Sequence, residues 1–205
     1  MALWCVRSVG GATIDGRVRI PGDPGTLIVM NHQSLIDIPL LVNLVMDGYP
    51  KIVTRERYSR GIPLISYMLR LCEHPLVDPG RHVDANMRRL REVAETTSHP
   101  ILIFPEGSRT RDGEIKPFRT AGLQAILSAR SWKVYVVVAD GMWKCGKLVD
   151  FIRNIGSVRA RVECVGPIES PAPGEDPAEF ITGIRAIMCD KLHEMRQGTA
   201  GSVAS

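Results

Sequence analysis

The sequence lacks the cysteine patterns that cross-link small proteins or hold zinc. Its five cysteines among 205 residues (Cys5, Cys72, Cys145, Cys164 and Cys189) are scattered, odd in number and never in a CxxC pair. Such usage is typical of reduced thiols in a cytosolic compartment. A chain of this length buries roughly 70% of its unfolded surface, so it needs neither disulfides nor a structural metal. We therefore expect no disulfide and no metal site.

Aromatic residues and long apolar runs are also scarce. Phe, Trp and Tyr make up 5% of the chain, and no basic run is interleaved with aromatics, which argues against nucleic-acid binding. The net charge of +4 is mild and compatible with anionic lipids or phosphate ligands. No stretch reaches the ~20 apolar residues of a spanning helix, and Met1–Val9 does not resemble a signal peptide. If the protein meets a membrane, we expect a peripheral protein on the cytoplasmic face.

Short β-branched runs alternate with amphipathic stretches, which predicts an α/β fold: a single domain with a largely parallel sheet flanked by helices. The predicted strands are Thr26–Met30, Lys51–Thr54, Ile101–Phe104, Val134–Ala139 and Val158–Val165. The predicted helices are Ile38–Met46, Pro63–Leu71, Val83–Thr96, Thr120–Ala129 and a last helix capped by Asp176 and opened by Pro177. We expect the domain to occupy residues 1–197, and the small, polar residues 198–205 to be disordered.

A histidine and an aspartate flank the first predicted turn. The strand Thr26–Met30 runs into Asn31 and His32, and Asp37 follows just before Ile38–Pro39. On a continuous helix, residues five apart point about 140° from each other, so a turn can bring His32 and Asp37 into contact and a continuous helix cannot. A carboxylate on one ring nitrogen fixes the histidine tautomer and leaves the other nitrogen free to accept a proton. The alternative is a polar strand-end histidine beside an aspartate that caps a helix.

A second apolar strand, Ile101–Phe104, ends in the loop that carries Gly107 and Arg109. Open α/β sheets bind ligands at the carboxyl ends of their strands. Gly107 permits close backbone approach to a ligand, and Arg109 offers a planar fork of donors for a phosphate. Lys116 and Arg119 precede the next predicted helix, whose N-terminus also favours an anion, so these cations are expected to converge on phosphate groups. The alternative is a solvated loop whose charges only aid solubility.

Together, the two loops resemble the signature of the glycerol-phosphate and lysophosphatidate acyltransferases, the PlsC-like family. That family has an Asn-His-x4-Asp block, a Phe-Pro-Glu-Gly-Thr-Arg-Ser block and then Lys-Pro-Phe-Lys/Arg. This sequence has Asn31-His32 with Asp37, then Phe104 to Thr110 with Ser108 and Thr110 exchanged for each other's type, and then Lys116-Pro117-Phe118-Arg119. The resemblance spans roughly residues 16–166. The two blocks in this order are far more specific than either block alone.

The resemblance implies an O-acyltransferase that moves a fatty acyl group from acyl-CoA or acyl-carrier protein to the free hydroxyl of a lysophosphatidate-type acceptor in phospholipid biosynthesis. His32 would be the general base on that hydroxyl, oriented by Asp37. The substrate-binding candidates are Glu106, Gly107, Ser108, Arg109, Lys116, Arg119 and Arg81. No cofactor is implied beyond the thioester co-substrate. The implied partners are the thioester donor, a lysophospholipid-type acceptor and a membrane surface.

The sequence departs from the family pattern in three places. In the middle block Ser66 replaces a glycine, and Pro79-Gly80 separates Asp78 from Arg81, so the alternative for Arg81 is a solvent-facing arginine at a helix start. The run Val134–Val138 lacks the family's proline, and Met1–Gly11 is too short for the N-terminal membrane helix that many relatives carry. Three alternatives remain: an acyltransferase for another lyso-lipid such as lyso-ornithine lipid, a thioester hydrolase, or a non-catalytic module that binds lipid or acyl carrier.

Overall fold

The computed structural model describes residues 13–15, 18–34, 36–59, 65–78, 80, 82–143 and 159–200. Along these residues the strands are β1 (Thr13–Asp15), β2 (Ile20–Pro21), β3 (Thr26–Met30), β4 (Val45–Met46), β5 (Lys51–Ile52), β6 (Thr54–Arg55), β7 (Leu76–Val77), β8 (Ile101–Ile103), β9 (Lys133–Asp140) and β10 (Arg159–Glu169). The α-helices are α1 (Asp37–Leu44), α2 (Ile65–Leu71), α3 (Val83–Thr96), α4 (Thr120–Leu127) and α5 (Ala178–Ala200). A short 3₁₀ turn, Glu56–Ser59, follows β6.

The main sheet has the strand order β1-β10-β9-β3-β8-β5. Its neighbours pair in parallel, except for β9 and β10, which are antiparallel. Two small parallel pairs, β2 with β4 and β6 with β7, lie outside it. The largely parallel sheet predicted from the alternation of strands and helices is therefore confirmed.

The central strand β3 is buried along its whole length. Leu27 and Val29 pack in one apolar cluster with residues of α3, α4 and α5. Ile28 and Met30 point to the opposite face and pack in a second cluster with residues of α1. Successive strand side chains alternate between faces, and a parallel sheet needs cover on both of them. This two-sided burial is the reason that the strand appears in the sequence as an unbroken apolar run.

The predicted strand Lys51–Thr54 is divided in the structure because the chain changes its pairing partner. The Val53 N–H donates to the Leu102 carbonyl (2.9 Å), which continues the pairing of β5 with β8. The Thr54 N–H donates instead to the Pro75 carbonyl (3.0 Å), which begins the pairing of β6 with β7. A local apolar pattern carries no information about this change, since both partners are distant in the sequence.

The predicted helix Ile38–Met46 ends two residues early because Val45 and Met46 form β4, in register with Ile20 and Pro21. The strand Thr26–Met30 and the helix Val83–Thr96 are confirmed at both ends. Other boundaries differ slightly from the predicted ones. Strand β8 ends at Ile103 rather than Phe104, and helix α4 ends at Leu127 rather than Ala129. Strand β9 is one residue longer at each end, and β10 continues to Glu169 rather than ending at Val165. Pro63, Leu64 and Val158 lie outside the described residues.

The last helix begins at Ala178, one residue later than predicted, and the Asp176 carboxylate accepts a hydrogen bond from the Ala178 N–H (3.0 Å). The helix continues to Ala200, so residues 198–200 of the tail predicted to be disordered are helical. The buried side chains of Leu192 and Met195 hold this end of the helix against the core, and the helix extends beyond them. In the part of the chain that the structure describes, no helix has both the length and the apolarity required to cross a membrane.

Candidate active site

The two loops singled out in the sequence meet where the neighbouring parallel strands β3 and β8 end. The Thr110 N–H donates to the His32 carbonyl (2.8 Å), and the His32 N–H donates to Glu106 Oε1 (2.8 Å). Residues more than 70 positions apart are therefore joined through the backbone of His32. The sheet edge predicted to bind a ligand is the edge at which these loops converge.

The His32 ring contacts Asp37 across the turn that joins them. Nδ1 lies 2.7 Å from Asp37 Oδ2, and the ring stacks on Phe104 with 4.3 Å between ring centroids. The His32 side chain is 19% exposed, whereas Asp37 is fully buried. Because Nδ1 is bonded to the carboxylate, Nε2 is the nitrogen left to exchange a proton with a substrate.

The Asp37 carboxylate is held by the turn that precedes it rather than by its helix. Oδ2 also accepts the N–H groups of Gln33 (2.7 Å) and Ser34 (2.8 Å). An N-cap side chain would instead accept N–H groups from the first turn of α1, and the residue at the cap position, Ile36, makes no side-chain cap bond. Oδ1 is buried and has no hydrogen-bond partner among the described residues. The aspartate thus orients the histidine and fastens the turn, and it does not cap the helix.

Buried amide side chains on both sides of His32 bind the segment at the end of β9. Asn31 bonds both backbone groups of Ala139, each at 2.8 Å. Gln33 accepts the Met142 N–H (3.1 Å) and donates to the Gly113 carbonyl (3.5 Å). Sequence reasoning assigned no role to Gln33, because only its complete burial reveals that its amide acts inside the protein.

Glu106 is only 3% exposed, and both of its carboxylate oxygens bind backbone groups. Oε1 accepts the His32 N–H (2.8 Å), and Oε2 accepts the Lys116 N–H (3.0 Å). Burial raises the pKa of the Glu106 carboxyl, and the two N–H groups partly offset that rise. Glu106 is predicted from the resemblance to bind the acceptor, but the structure directs its oxygens to the protein's own backbone.

Gly107 lies where two arginines approach the loop closely. Its φ is +66°, in the left-handed region that favours glycine, and a Cβ at this position would lie 2.8 Å from Cδ of Arg119. The Arg119 N–H donates to the Pro105 carbonyl (2.8 Å), and a guanidinium nitrogen of Arg55 donates to the Gly107 carbonyl. Both arginines are therefore fixed against the loop.

The loop that carries Arg109 is braced by a lysine. Lys116 Nζ donates to the Arg109 carbonyl (2.5 Å) and to Ser108 Oγ (3.3 Å). Arg109 Nη1 is buried and has no hydrogen-bond partner among the described residues. Lys116 thus supports the loop, while Arg109 keeps hydrogen-bonding capacity unused. Arg81 lies outside the described residues.

A cavity of about 1140 Å³ extends from His32. Its arginines lie at the end of β6 or just after it, follow β8, or precede α4; they are Arg55, Arg57, Arg109, Arg111 and Arg119. Its apolar wall is contributed chiefly by α2, β7, α3, β8 and the start of α4, and includes Leu69, Val77, Met87, Leu90, Ile103 and Gly122. Concave sites with a mainly apolar lining and a few convergent polar groups are typical of ligand pockets. Within the described ranges, no three His, Cys, Asp or Glu side chains are grouped to hold a metal ion.

Three of the cavity-lining arginines were not selected as candidates from the sequence: Arg55, Arg57 and Arg111. Arg55 directly follows the predicted strand Lys51–Thr54, so the strand-end rule that selected His32 would also have selected it. Burial lowers the pKa of Arg55, and the nearby positive charges of Arg57 and Arg119 lower it further. Like charges held this close favour a bound anion that offsets their repulsion.

Comparison with known proteins identifies the family and the fold. Residues 12–139 match the family model described as Acyltransferase. The chain is 29% identical over 177 residues to the 1-acyl-sn-glycerol-3-phosphate acyltransferase of Cocos nucifera, covering 83% of this chain and 55% of that protein. It is 24% identical over 181 residues to the Escherichia coli protein of the same name, covering 85% of this chain and 69% of that one. The crystal structure of 1-acyl-sn-glycerophosphate acyltransferase PlsC from Thermotoga maritima shares the fold, with a TM-score of 0.62, 21% identity and coverage of 92% of this chain and 73% of that one.

Proposed function

Because the chain belongs to the acyltransferase family, we propose that it moves a fatty acyl group from acyl-CoA or acyl-carrier protein to the free hydroxyl of a lysophosphatidate-type acceptor in phospholipid biosynthesis. The observation that carries this proposal is His32, paired with Asp37, on the wall of a cavity lined by arginines and by apolar side chains. A lysophosphatidate has the matching parts, since it carries a phosphate, a free hydroxyl and an acyl chain.

In the proposed reaction the acceptor hydroxyl attacks the thioester carbonyl while His32 Nε2 takes its proton. A carbon–oxygen bond forms, and the carbon–sulfur bond breaks as the tetrahedral intermediate collapses. The imidazolium then returns the proton to the departing sulfur, which leaves as a thiol. Asp37 stabilises the imidazolium and keeps the ring in the tautomer that presents Nε2. No nucleophile from the protein is required, because the acceptor supplies it.

We assign the acceptor's phosphate to Arg109, supported by Arg55 and Arg119. The unused Nη1 of Arg109 is a donor already removed from water, so it gains more from an anion than a hydrated side chain does. If Arg109 holds the phosphate with two prongs, Arg109→Lys keeps the charge but loses the planar fork. We expect a loss of about 10- to 150-fold in kcat/KM for the acceptor, equivalent to a charged hydrogen bond of ~1.5–3 kcal/mol.

Steady-state kinetics with both substrates varied measure this effect, and background hydrolysis of the thioester should change far less. Arg88→Lys is the matched control, because Arg88 is exposed on α3 and is not part of the cavity wall. An unaltered kcat/KM for the acceptor in Arg109→Lys would show that Arg109 does not bind the acceptor. A selective fall in kcat/KM for the donor would instead assign Arg109 to the phosphates of the donor.

The apolar wall of the cavity is proposed to hold the acyl chain of the donor. Gly122 opens this region, since a Cβ there would lie 3.2 Å from Cδ1 of Ile103 and 3.8 Å from Cδ2 of Leu90, which both line the cavity. Gly122→Val should therefore narrow the cavity along its apolar wall. We expect kcat/KM for long-chain donors to fall by about tenfold or more relative to short-chain donors.

A series of acyl donors of increasing length measures that selectivity. Gly183→Val is the control, because Gly183 lies in helix α5 and an added Cβ meets no atom within 4 Å. A shift in acceptor-length preference alone would assign the wall to the acceptor's chain. Unchanged preferences for both substrates would contradict the assignment of this wall to an acyl chain.

The activity itself is tested with purified protein, acyl-CoA and acyl-carrier protein donors, and a panel of lyso-acceptors, with products identified by mass spectrometry. Phosphatidate formed from lysophosphatidate supports the proposal. Product from lyso-ornithine lipid alone would change the acceptor, free fatty acid alone would indicate a hydrolase, and binding without turnover would indicate a non-catalytic module. Since the proposed acceptor is a membrane lipid, we also propose a peripheral position on the cytoplasmic face. Alkaline carbonate should then release the protein from membranes, and recovery only with detergent would contradict the peripheral position.

A further inference from the structure

Glu106 uses its whole carboxylate on two backbone N–H groups, which come from two different loops. One belongs to His32, in the turn after β3, and the other to Lys116, in the loop that follows β8. We infer that Glu106 is a positioning residue that holds the His32 ring against Asp37 and does not contact the acceptor. The kinetic consequence of this inference rests on the proposed function, whereas its structural consequence does not.

An ionised glutamate is the side chain that fits this position. Its two oxygens are both acceptors, so each can meet one N–H donor. A glutamine of the same shape would turn an NH₂ group towards one of these donors. An aspartate would keep the charge but is one methylene shorter, and could not reach both loops without moving one of them.

The backbone of His32 is bonded to the Phe104–Thr110 segment through both of its polar groups. Its N–H donates to Glu106, and its carbonyl accepts the Thr110 N–H (2.8 Å). The ring then lies between Asp37 Oδ2 at 2.7 Å and the face of Phe104. Releasing the N–H allows the residue to rotate about its remaining bonds, which shifts the ring relative to Asp37. A displacement of about 1 Å at a reacting group can cost ~10²-fold in rate.

Glu106 also braces the Lys116 side of the site. Its Oε2 fixes the backbone of Lys116, whose Nζ bonds the Arg109 carbonyl (2.5 Å). A small effect on acceptor affinity is therefore expected besides the larger effect on the histidine. The change in kcat relative to the change in acceptor KM therefore separates positioning of the histidine from direct binding of the acceptor.

Kinetics of Glu106→Gln and Glu106→Asp, with both substrates varied, test the inference. We expect kcat to fall about 10- to 100-fold in both variants, with the acceptor KM changed less than about threefold. Ser170→Ala is the matched control, because Ser170 Oγ also accepts a backbone N–H, that of Trp132 (2.9 Å). This bond lies beside the start of β9. His32 follows the end of β3, which runs parallel to β9, so the two bonds lie at opposite edges of the sheet. Direct acceptor binding predicts the reverse split, a raised KM with unchanged kcat. Wild-type kcat in Glu106→Asp would show that charge alone matters and would overturn the inference.

The imidazole signals of His32 provide a measurement that does not depend on activity. In ¹⁵N-histidine-labelled protein, His32 is assigned by comparison with His32→Ala. We expect its ring signals to shift in Glu106→Gln, with faster exchange of the Nδ1 proton, and to remain unchanged in Ser170→Ala. Unaltered His32 signals in both a folded Glu106→Gln protein and a folded Glu106→Asp protein would overturn the inference. If the wild-type protein transferred no acyl group, the proposed function would fail, and these signals would still decide the role of Glu106.

Discussion

Replacing His32 with alanine is expected to lower kcat by about 10²- to 10⁴-fold, the contribution typical of a general base. The fold should remain intact, because the bonds that His32 makes to Glu106 and Thr110 use its backbone and survive the substitution. The lost groups are the ring contact with Asp37 and the stacking on Phe104. The loss should therefore appear in kcat with little change in the melting temperature.

Initial rates with saturating donor and acceptor, together with thermal unfolding, measure both effects. His193→Ala is the control, since His193 is exposed on α5 and is not part of the cavity wall. If His32→Ala retained more than about a tenth of the wild-type kcat, the general-base assignment would be wrong. If it unfolded at much lower temperature, the ring would matter mainly for stability.

Replacing Asp37 with asparagine is expected to lower kcat by about 10²-fold or more. The asparagine oxygen can take the place of Oδ2 and keep the donors from Gln33 and Ser34, but the negative charge that stabilises the imidazolium is lost. The NH₂ group then occupies the position of Oδ1, which has no partner among the described residues. A buried donor without an acceptor costs about 1–3 kcal/mol, so the free energy of unfolding should also fall.

Kinetics and urea unfolding of Asp37→Asn separate the two losses, and Asp176→Asn, at the remote start of α5, is the control. The double variant His32→Ala/Asp37→Asn should be about as slow as His32→Ala alone, because the aspartate acts through the histidine. Fully additive losses would show that Asp37 acts on the reaction independently of His32.

Local pattern was sufficient for much of the fold and for part of the site. The apolar run Thr26–Met30 and the helical spacing in Val83–Thr96 gave both boundaries of β3 and α3. The contact between His32 and Asp37 was compatible with local geometry, since a turn can join residues five apart and a continuous helix cannot. Arg109 and Arg119, which line the cavity, were selected as candidates from the sequence because Arg109 follows the end of a strand and Arg119 precedes the start of a helix.

Roles that depend on distant partners did not follow from pattern. Nothing near Glu106 indicates that its oxygens meet the N–H groups of His32 and Lys116. The complete burial of Gln33 likewise depends on the segment after β9, more than 100 residues away. A polar residue in a loop has the same appearance in the sequence whether it faces a ligand or a buried backbone group.

The sequence by itself determined the longer strands and helices and which residue types stand at the carboxyl ends of those strands, because hydrophobic periodicity and turn chemistry act over a few neighbouring residues. Only the tertiary structure decided that Arg55 joins Arg119 beside Gly107 and that Glu106 faces inward. Those outcomes depend on which strands become neighbours in the sheet. That choice is made by the packing of the two apolar faces as a whole, and it brings together groups that no local pattern relates.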